Sequence, residues 1–102
     1  MPNEFSYKIF KYGDGILLAV SDLSLIGKSF KENDLQIEIS EDFYYGKECN
    51  QSIVLELIRG ATIVNAVGNR IINLLVKERV IDKDSVLTIK GVPHAQIIKI
   101  EG

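Results

Sequence analysis

The residues best suited to chemistry fall in two stretches, Gly91–Gln96 (GVPHAQ) and Ala61–Arg79 (ATIVNAVGNRIINLLVKER). His94 is the single histidine of the chain. An imidazole titrates near neutral pH, so it could hold an anion, move a proton or polarise a substrate. Pro93 fixes φ and removes a donor, and Gly91 lies two residues earlier. Together they read as a stiff connection that presents His94 and Gln96. The plain alternative is a histidine satisfied by backbone carbonyls, tying that connection to a sheet.

In the other stretch, Asn65, Asn69 and Asn73 recur every four residues and would form one row on a helix. Each amide offers two donors and an acceptor, enough to read a base edge, a ribose or a backbone strand. Asparagine competes with the helix backbone for hydrogen bonds, so propensity does not explain the row. Its bland counterpart is contact with neighbouring loops or water. Arg70, beside the row, could grip a phosphate or carboxylate bidentately; otherwise it is a surface ion pair worth little. Gly68 costs about 1 kcal/mol inside a helix. It marks the close approach of a strand, loop or ligand, with packing favoured over ligand contact.

Weaker candidates lie elsewhere. Leu25–Ser29 (LIGKS) has the tail of a phosphate-binding loop, yet Asp22 stands where that loop requires its first glycine. Lys28 could still face an anion, although a solvated lysine is the default. Cys49 precedes a helix, whose dipole would lower a thiol pKa, but no base is near it in sequence. Phe43, Tyr44 and Tyr45 could stack on bases; their acidic neighbours repel phosphate, and core anchoring is the safer role. A lone cysteine and a lone histidine supply neither a disulfide nor metal-ligand spacing. No catalytic set, metal or cofactor is expected.

The element that must position these residues is a helix over Ala61–Arg79. At 100° per residue Ile63, Val67, Ile71 and Leu74 share one sector, with Val64 and Leu75 at its edge, an apolar stripe for a core. A first helix is expected over Gln51–Arg59, capped by Asn50 and closed by a left-handed Gly60, with Thr62 capping the second. The short joint between them permits a helix-turn-helix, but the second helix offers no Arg or Lys in its first turn. Residues 4–21 read as a hairpin turning at Tyr12–Gly15, its second strand central in the sheet. Asp22–Phe30 is too interrupted for a confident helix, and Glu41–Glu48 reads as a loop. Further strands are expected at Leu35–Ile39, Val86–Lys90 and Gln96–Ile100. The fold class is therefore α+β. Residues 1–102 make a single domain, a largely antiparallel sheet of about five strands with a two-helix pair on one face.

A chain of 102 residues can bury a core without disulfide staples. No apolar run approaches the span of a bilayer, and the first ten residues lack a secretion signal. A cytoplasmic location follows by elimination. The formal charge of −2 argues against holding nucleic acid by bulk electrostatics. Charge is uneven, however: residues 32–48 carry six acids against Lys47, whereas residues 59–102 carry seven Lys/Arg against four acids. Solvated faces of opposite sign are the usual meaning, and an anion-facing side the sharper one.

Four segments, taken in order, resemble a small archaeal family known only as a domain of unknown function. They are Asp22–Lys28 (DLSLIGK), Phe43–Gly46 (FYYG), Asn65–Ile71 (NAVGNRI) and Gly91–Gln96 (GVPHAQ). The resemblance covers nearly the whole chain. It implies an archaeal cytoplasmic protein of one α+β domain, associated with translation genes, and it transfers no catalytic residue. Family members often carry an acid after NxVG. Here that residue is Asn69, so no carboxylate role carries over.

The expectation is a binding module rather than an enzyme, for RNA or a ribosome-associated partner. Its surface would comprise Asn65, Asn69, Arg70, Asn73, Gly91, Pro93, His94, Gln96 and Lys28. Neither DNA nor a membrane is expected as a partner. One alternative is a small enzyme or nucleotide- or anion-binding protein with His94 at its site, close to Arg70 or Lys28. Another is a subunit of a homo-oligomer or complex, without a site of its own.

Overall fold

The computed structural model describes residues 2–99. The expected hairpin forms its first two strands, β1 (Phe5–Tyr12) and β2 (Gly15–Asp22), paired antiparallel in full register. Gly13 takes φ +52° in the turn between them, a conformation glycine adopts without steric cost. A 3₁₀ turn at Leu23–Leu25 leads into a second, separate hairpin of β3 (Ser29–Glu32) and β4 (Leu35–Glu38). The expected strand over Leu35–Ile39 thus exists but lies outside the main sheet, and β3 is its unforeseen partner.

The acidic Glu41–Glu48 stretch is more ordered than the loop expected. It contains α1 (Glu41–Tyr44), capped by the Ser40 hydroxyl, and edge strand β5 (Lys47–Cys49). Helix α2 (Gln51–Gly60) starts where expected, with the Asn50 side chain accepting from Ile53 N at 3.1 Å. Its end differs. Ala61 is extended and its N–H donates to Ile58 O at 3.3 Å, so the helix closes without a left-handed glycine. Lys99 Nζ donates to the carbonyls of Ile58 and Arg59, satisfying that end.

The main correction concerns Ala61–Arg79. Ile63–Val67 is not helix but strand β6, and only Asn69–Lys77 is helical, as α3. Gly68 separates them at φ +122°, ψ 153°, a region essentially reserved for glycine. Strand β6 is buried on both faces, which removes the alternation that would have marked it. Its aliphatic residues therefore prolong the helical stripe of Ile71, Leu74 and Leu75 by coincidence. Thr62 caps nothing: its Oγ1 accepts from Ile16 N at 3.0 Å and its N–H donates to Ile16 O at 2.8 Å, extending the β2–β6 pairing. A strand here also removes the helix-turn-helix.

The chain closes with β7 (Leu87–Ile89) and β8 (Val92–Ile98), joined by a turn in which Lys90 and Gly91 have positive φ. The GVPHAQ stretch is therefore largely strand, not a loop. The main sheet has six strands in the order β5-β1-β2-β6-β8-β7; β2 and β6 run parallel, and every other pair is antiparallel. The α+β class holds, with one more strand in the sheet than expected and a second small sheet beside it. Helices α2 and α3 cover one face, packing Val54, Ile58, Ile71 and Leu75 on Leu18, Val20, Val64 and Ala66. Ile39, Tyr44 and the β3–β4 hairpin pack on Ala19, Val67 and Val92 of the other face.

Candidate functional site

Parallel strands β2 and β6 end side by side, at Asp22 and Val67. The Asp22 carboxylate reaches across to the start of α3. Its Oδ2 accepts from Arg70 N at 2.9 Å and its Oδ1 from Ile71 N at 2.8 Å. These N–H groups have no partner within the helix, so a side chain from another strand supplies the missing cap. Gly68 is what lets it approach: a Cβ there would fall on the Asp22 carboxylate. Burial pushes the Asp22 carboxyl above its ordinary 3.8, while the two N–H donors and the Arg70 charge pull it partly back. The joint therefore fixes where α3 begins and which way its first residues face.

Arg70 faces outward from this joint. Its Nη1 meets Glu4 Oε1 at 2.6 Å, and the other Glu4 oxygen accepts from Gln51 Nε2 at 3.2 Å. Glu4 is held from both sides of its backbone, its N–H donating to Cys49 O at 3.1 Å and its carbonyl accepting from Leu23 N at 2.9 Å. The Glu4 side chain is 23% exposed and that of Arg70 is 67% exposed. Within this pair, Glu4 is the anchored partner and Arg70 the free one.

Two clefts meet at the pair. One, of about 480 Å³, is lined by Pro2, Asn3, Glu4, Leu23, Ser24 and Arg70. The other, of about 300 Å³, is lined by Glu4, Gln51, Arg70, Asn73, Leu74 and Lys77. Arg70, Asn73 and Lys77 stand at i, i+3 and i+7 of α3, which puts them on one side of the helix. Cations and amides dominate the second cleft, a lining that recognises anions and polar edges.

The other expected residues lie elsewhere. Asn65 on β6 pairs with Gln96 on β8, and Val67 with His94. Strand alternation puts Asn65, Gln96 and His94 on the sheet face opposite α3. The asparagine row is thus divided: Asn65 belongs to a strand, Asn69 is the exposed first residue of α3, and Asn73 lines the second cleft. His94 is half-buried, and burial lowers its pKa below 6.5, leaving a neutral imidazole at neutral pH. It lines neither of the two clefts at Arg70. Pro93 is buried, its carbonyl accepting from Gly68 N at 2.9 Å. Gly91 is a turn residue, and Lys28 is exposed ahead of β3.

Cys49 is buried, and burial pushes its thiol up to about 11, the opposite direction to the lowering expected ahead of a helix. Phe43 stacks on Phe10 at 5.2 Å and meets Tyr44 edge-on at 4.9 Å, so these two aromatics anchor the core. Tyr45 is exposed, and its hydroxyl donates to Glu48 at 2.9 Å. Several residues of the joint and clefts escaped the sequence reading, among them Asp22, Glu4, Gln51 and Lys77. Only Lys77 carried a legible signal, its helical spacing from Arg70 and Asn73. Among the described residues no group of three or more His, Cys, Asp or Glu side chains could hold a metal, and no helix is long and apolar enough to cross a membrane.

The family model described as a protein of unknown function, DUF424, matches residues 10–100. The chain belongs to this family. It is also similar to an uncharacterised conserved protein from the archaeon Methanopyrus kandleri, whose crystal structure superposes with a TM-score of 0.79 at 28% identity. That match covers 96% of this chain and 95% of the other. No curated protein sequence matches the chain. The resemblance carried by the four motifs thus holds at the level of the family.

Proposed function

We propose that this protein is a binding module for RNA, and that it binds along the outer side of α3. The observation that carries this reading is the placement of Arg70, Asn73 and Lys77 on one side of the helix, lining a cleft with Gln51. Cations supply phosphate contacts and amides supply base or ribose contacts, a mixture suited to RNA. The site also lies beyond the carboxyl ends of parallel strands β2 and β6, the edge at which open sheets commonly take ligands. Two other titratable groups are committed to structure or inert: both oxygens of Asp22 cap α3, and the Cys49 thiol stays protonated at neutral pH. Binding is favoured over catalysis for that reason. The link to translation that the resemblance implies makes ribosomal or transfer RNA the first ligand to test.

With a net charge of −2, affinity has to come from local contacts. Two cations releasing counterions from a single strand give a log–log salt slope of roughly −1.4, shallower than that of a basic-patch binder. Fluorescence anisotropy with archaeal tRNA and rRNA fragments across a salt series measures it. Combining Arg70→Ala with Lys77→Ala should flatten the slope and weaken binding, whereas Asn65→Ala, on the opposite face, should leave both unchanged. Absence of binding at low salt would overturn the proposal.

A further inference from the structure

The two clefts are lined by different chemistry. Leu23 and Pro2 give the larger one apolar walls, with Asn3 and Ser24 as its polar groups. The smaller one offers Lys77, Asn73 and Gln51, with Leu74 at its floor. Arg70 and Glu4 are common to both. A flat aromatic base with a polar edge suits the first lining, and a phosphate suits the second. The larger cleft has a volume in the range of small-molecule sites.

We infer that the unit taken by this site is a single nucleotide, its base against Leu23 and Ser24 and its phosphate against Asn73 and Lys77, with Arg70 bridging the two. This rests on the α3 site proposed above and adds the class and orientation of what enters it. A guanidinium is the side chain able to play both parts, since its plane stacks on a base and its fork grips a phosphate. Arg70 is free to do so because its side chain is largely exposed.

Glu4 gives the inference its second support. Its carboxylate accepts from Arg70 on one oxygen and from Gln51 on the other. It therefore engages, from a fixed backbone, the guanidinium that a nucleotide phosphate would also use. Glu4 is a stand-in anion that keeps Arg70 at the junction of the clefts when no ligand is bound. An incoming phosphate competes with it, and Arg70 turns toward the phosphate while Glu4 stays in place. Affinity is thus set against an internal competitor, which selects for a dianionic phosphate over a single carboxylate.

Amide chemical shifts of the full chain, titrated in parallel with adenosine 5′-monophosphate, adenosine and inorganic phosphate, test this. The monophosphate should shift Leu23 and Ser24 together with Asn73 and Lys77. Inorganic phosphate should move only the second pair and adenosine only the first. Joining the two contacts in one molecule should tighten binding by about tenfold or more over either part. Glu4→Gln keeps the acceptor for Gln51 and removes the competing charge, so it should raise affinity for the monophosphate. Arg70→Ala, at an exposed side chain, should abolish the advantage of the monophosphate over phosphate. Shifts confined to one cleft, shifts on the His94 face, or a monophosphate no tighter than phosphate would each overturn the inference. If RNA binding still depends on Arg70 and Lys77 in that case, the RNA reading stands alone. If the monophosphate fills both clefts and no RNA binds, the nucleotide site stands and the RNA reading falls.

Discussion

On one face of the six-stranded sheet, α2 and α3 cover Leu18, Val20, Val64, Ala66 and Ala95 with long aliphatic side chains. On the other, α1, Ile39 and the β3–β4 hairpin cover Ala19, Val67 and Val92. From that patch the row Phe10, Leu17, Ile63 and Ile98 runs across four strands in one register, and it ends at Ile98, which is 60% exposed. The helical face is a closed layer, whereas the hairpin face is closed over part of its length. The difference bears on the proposed site. Asp22 caps α3 from β2 on the closed face, so the same joint that seals the layer also aims Arg70 into the clefts. The proposed binding site and the closed layer therefore share one joint on that side, whereas the hairpin on the other face is free to respond more locally.

Breaking the joint should produce the largest effect. Gly68→Ala has to hold a side chain at φ +122° and push the Asp22 carboxylate away from α3. Strain and the lost cap together cost about 3–4 kcal/mol. Gly27, next to the hairpin, has φ +86° but open space where a Cβ would stand, so Gly27→Ala carries the backbone penalty alone, about 1–2 kcal/mol. Urea unfolding at constant m measures both. Equal losses would mean that the Asp22–Gly68 contact contributes nothing beyond backbone conformation.

Core truncations sharpen the same contrast. Leu75 and Ile39 are both fully buried, one under each layer. Leu75→Ala should cost about 3–4 kcal/mol and lower the stability of the whole domain. Ile39→Ala should cost about 2–3 kcal/mol, and part of the response should be local. Ile39 ties the hairpin down through Gly27 N to its own carbonyl at 2.7 Å and its own N–H to Lys28 O at 2.9 Å. Amide exchange should therefore quicken in β3 and β4 while β2 and β6 keep their protection. Uniform loss of protection after Ile39→Ala would show that the two faces open as one unit.

The elements legible in the sequence were those whose signals are local. Alternation and a glycine turn marked the β1–β2 hairpin, and Asn50 marked the start of α2. Strand β6 was unreadable because burial on both faces erased its alternation. Strand β3, four residues with only Phe30 half-buried, had too little pattern to show. Gly68 was correctly read as a point of close approach, though the group approaching is the Asp22 carboxylate and the setting is a strand-to-helix turn. At the candidate site, Arg70 and Asn73 stood out from their types and helical spacing. Asp22 and Glu4 did not, because they meet Arg70 across 48 and 66 residues of chain. No local pattern encodes a cap or an ion pair supplied from that distance.

The smallest expected effect is also the one that separates the faces by sign. Asp22 titrates on the helical face and His94 on the hairpin face, and burial displaces both, in opposite directions. The folded-state value of Asp22 lies above its ordinary 3.8, so folding favours the protonated carboxyl. Its contribution is greatest below that pH and is lost as pH rises through the folded value. The folded-state value of His94 lies below 6.5, so folding favours the neutral ring. Its contribution is present above 6.5 and is lost as pH falls through the folded value. The stability gap between wild type and Asp22→Asn should therefore narrow as pH rises from 3.8 toward neutrality. The gap between wild type and His94→Gln should narrow as pH falls below 6.5. Urea midpoints collected across this range resolve the two slopes. Slopes of the same sign would mean that one of the two groups is solvated, and that its face is more open than its packing implies.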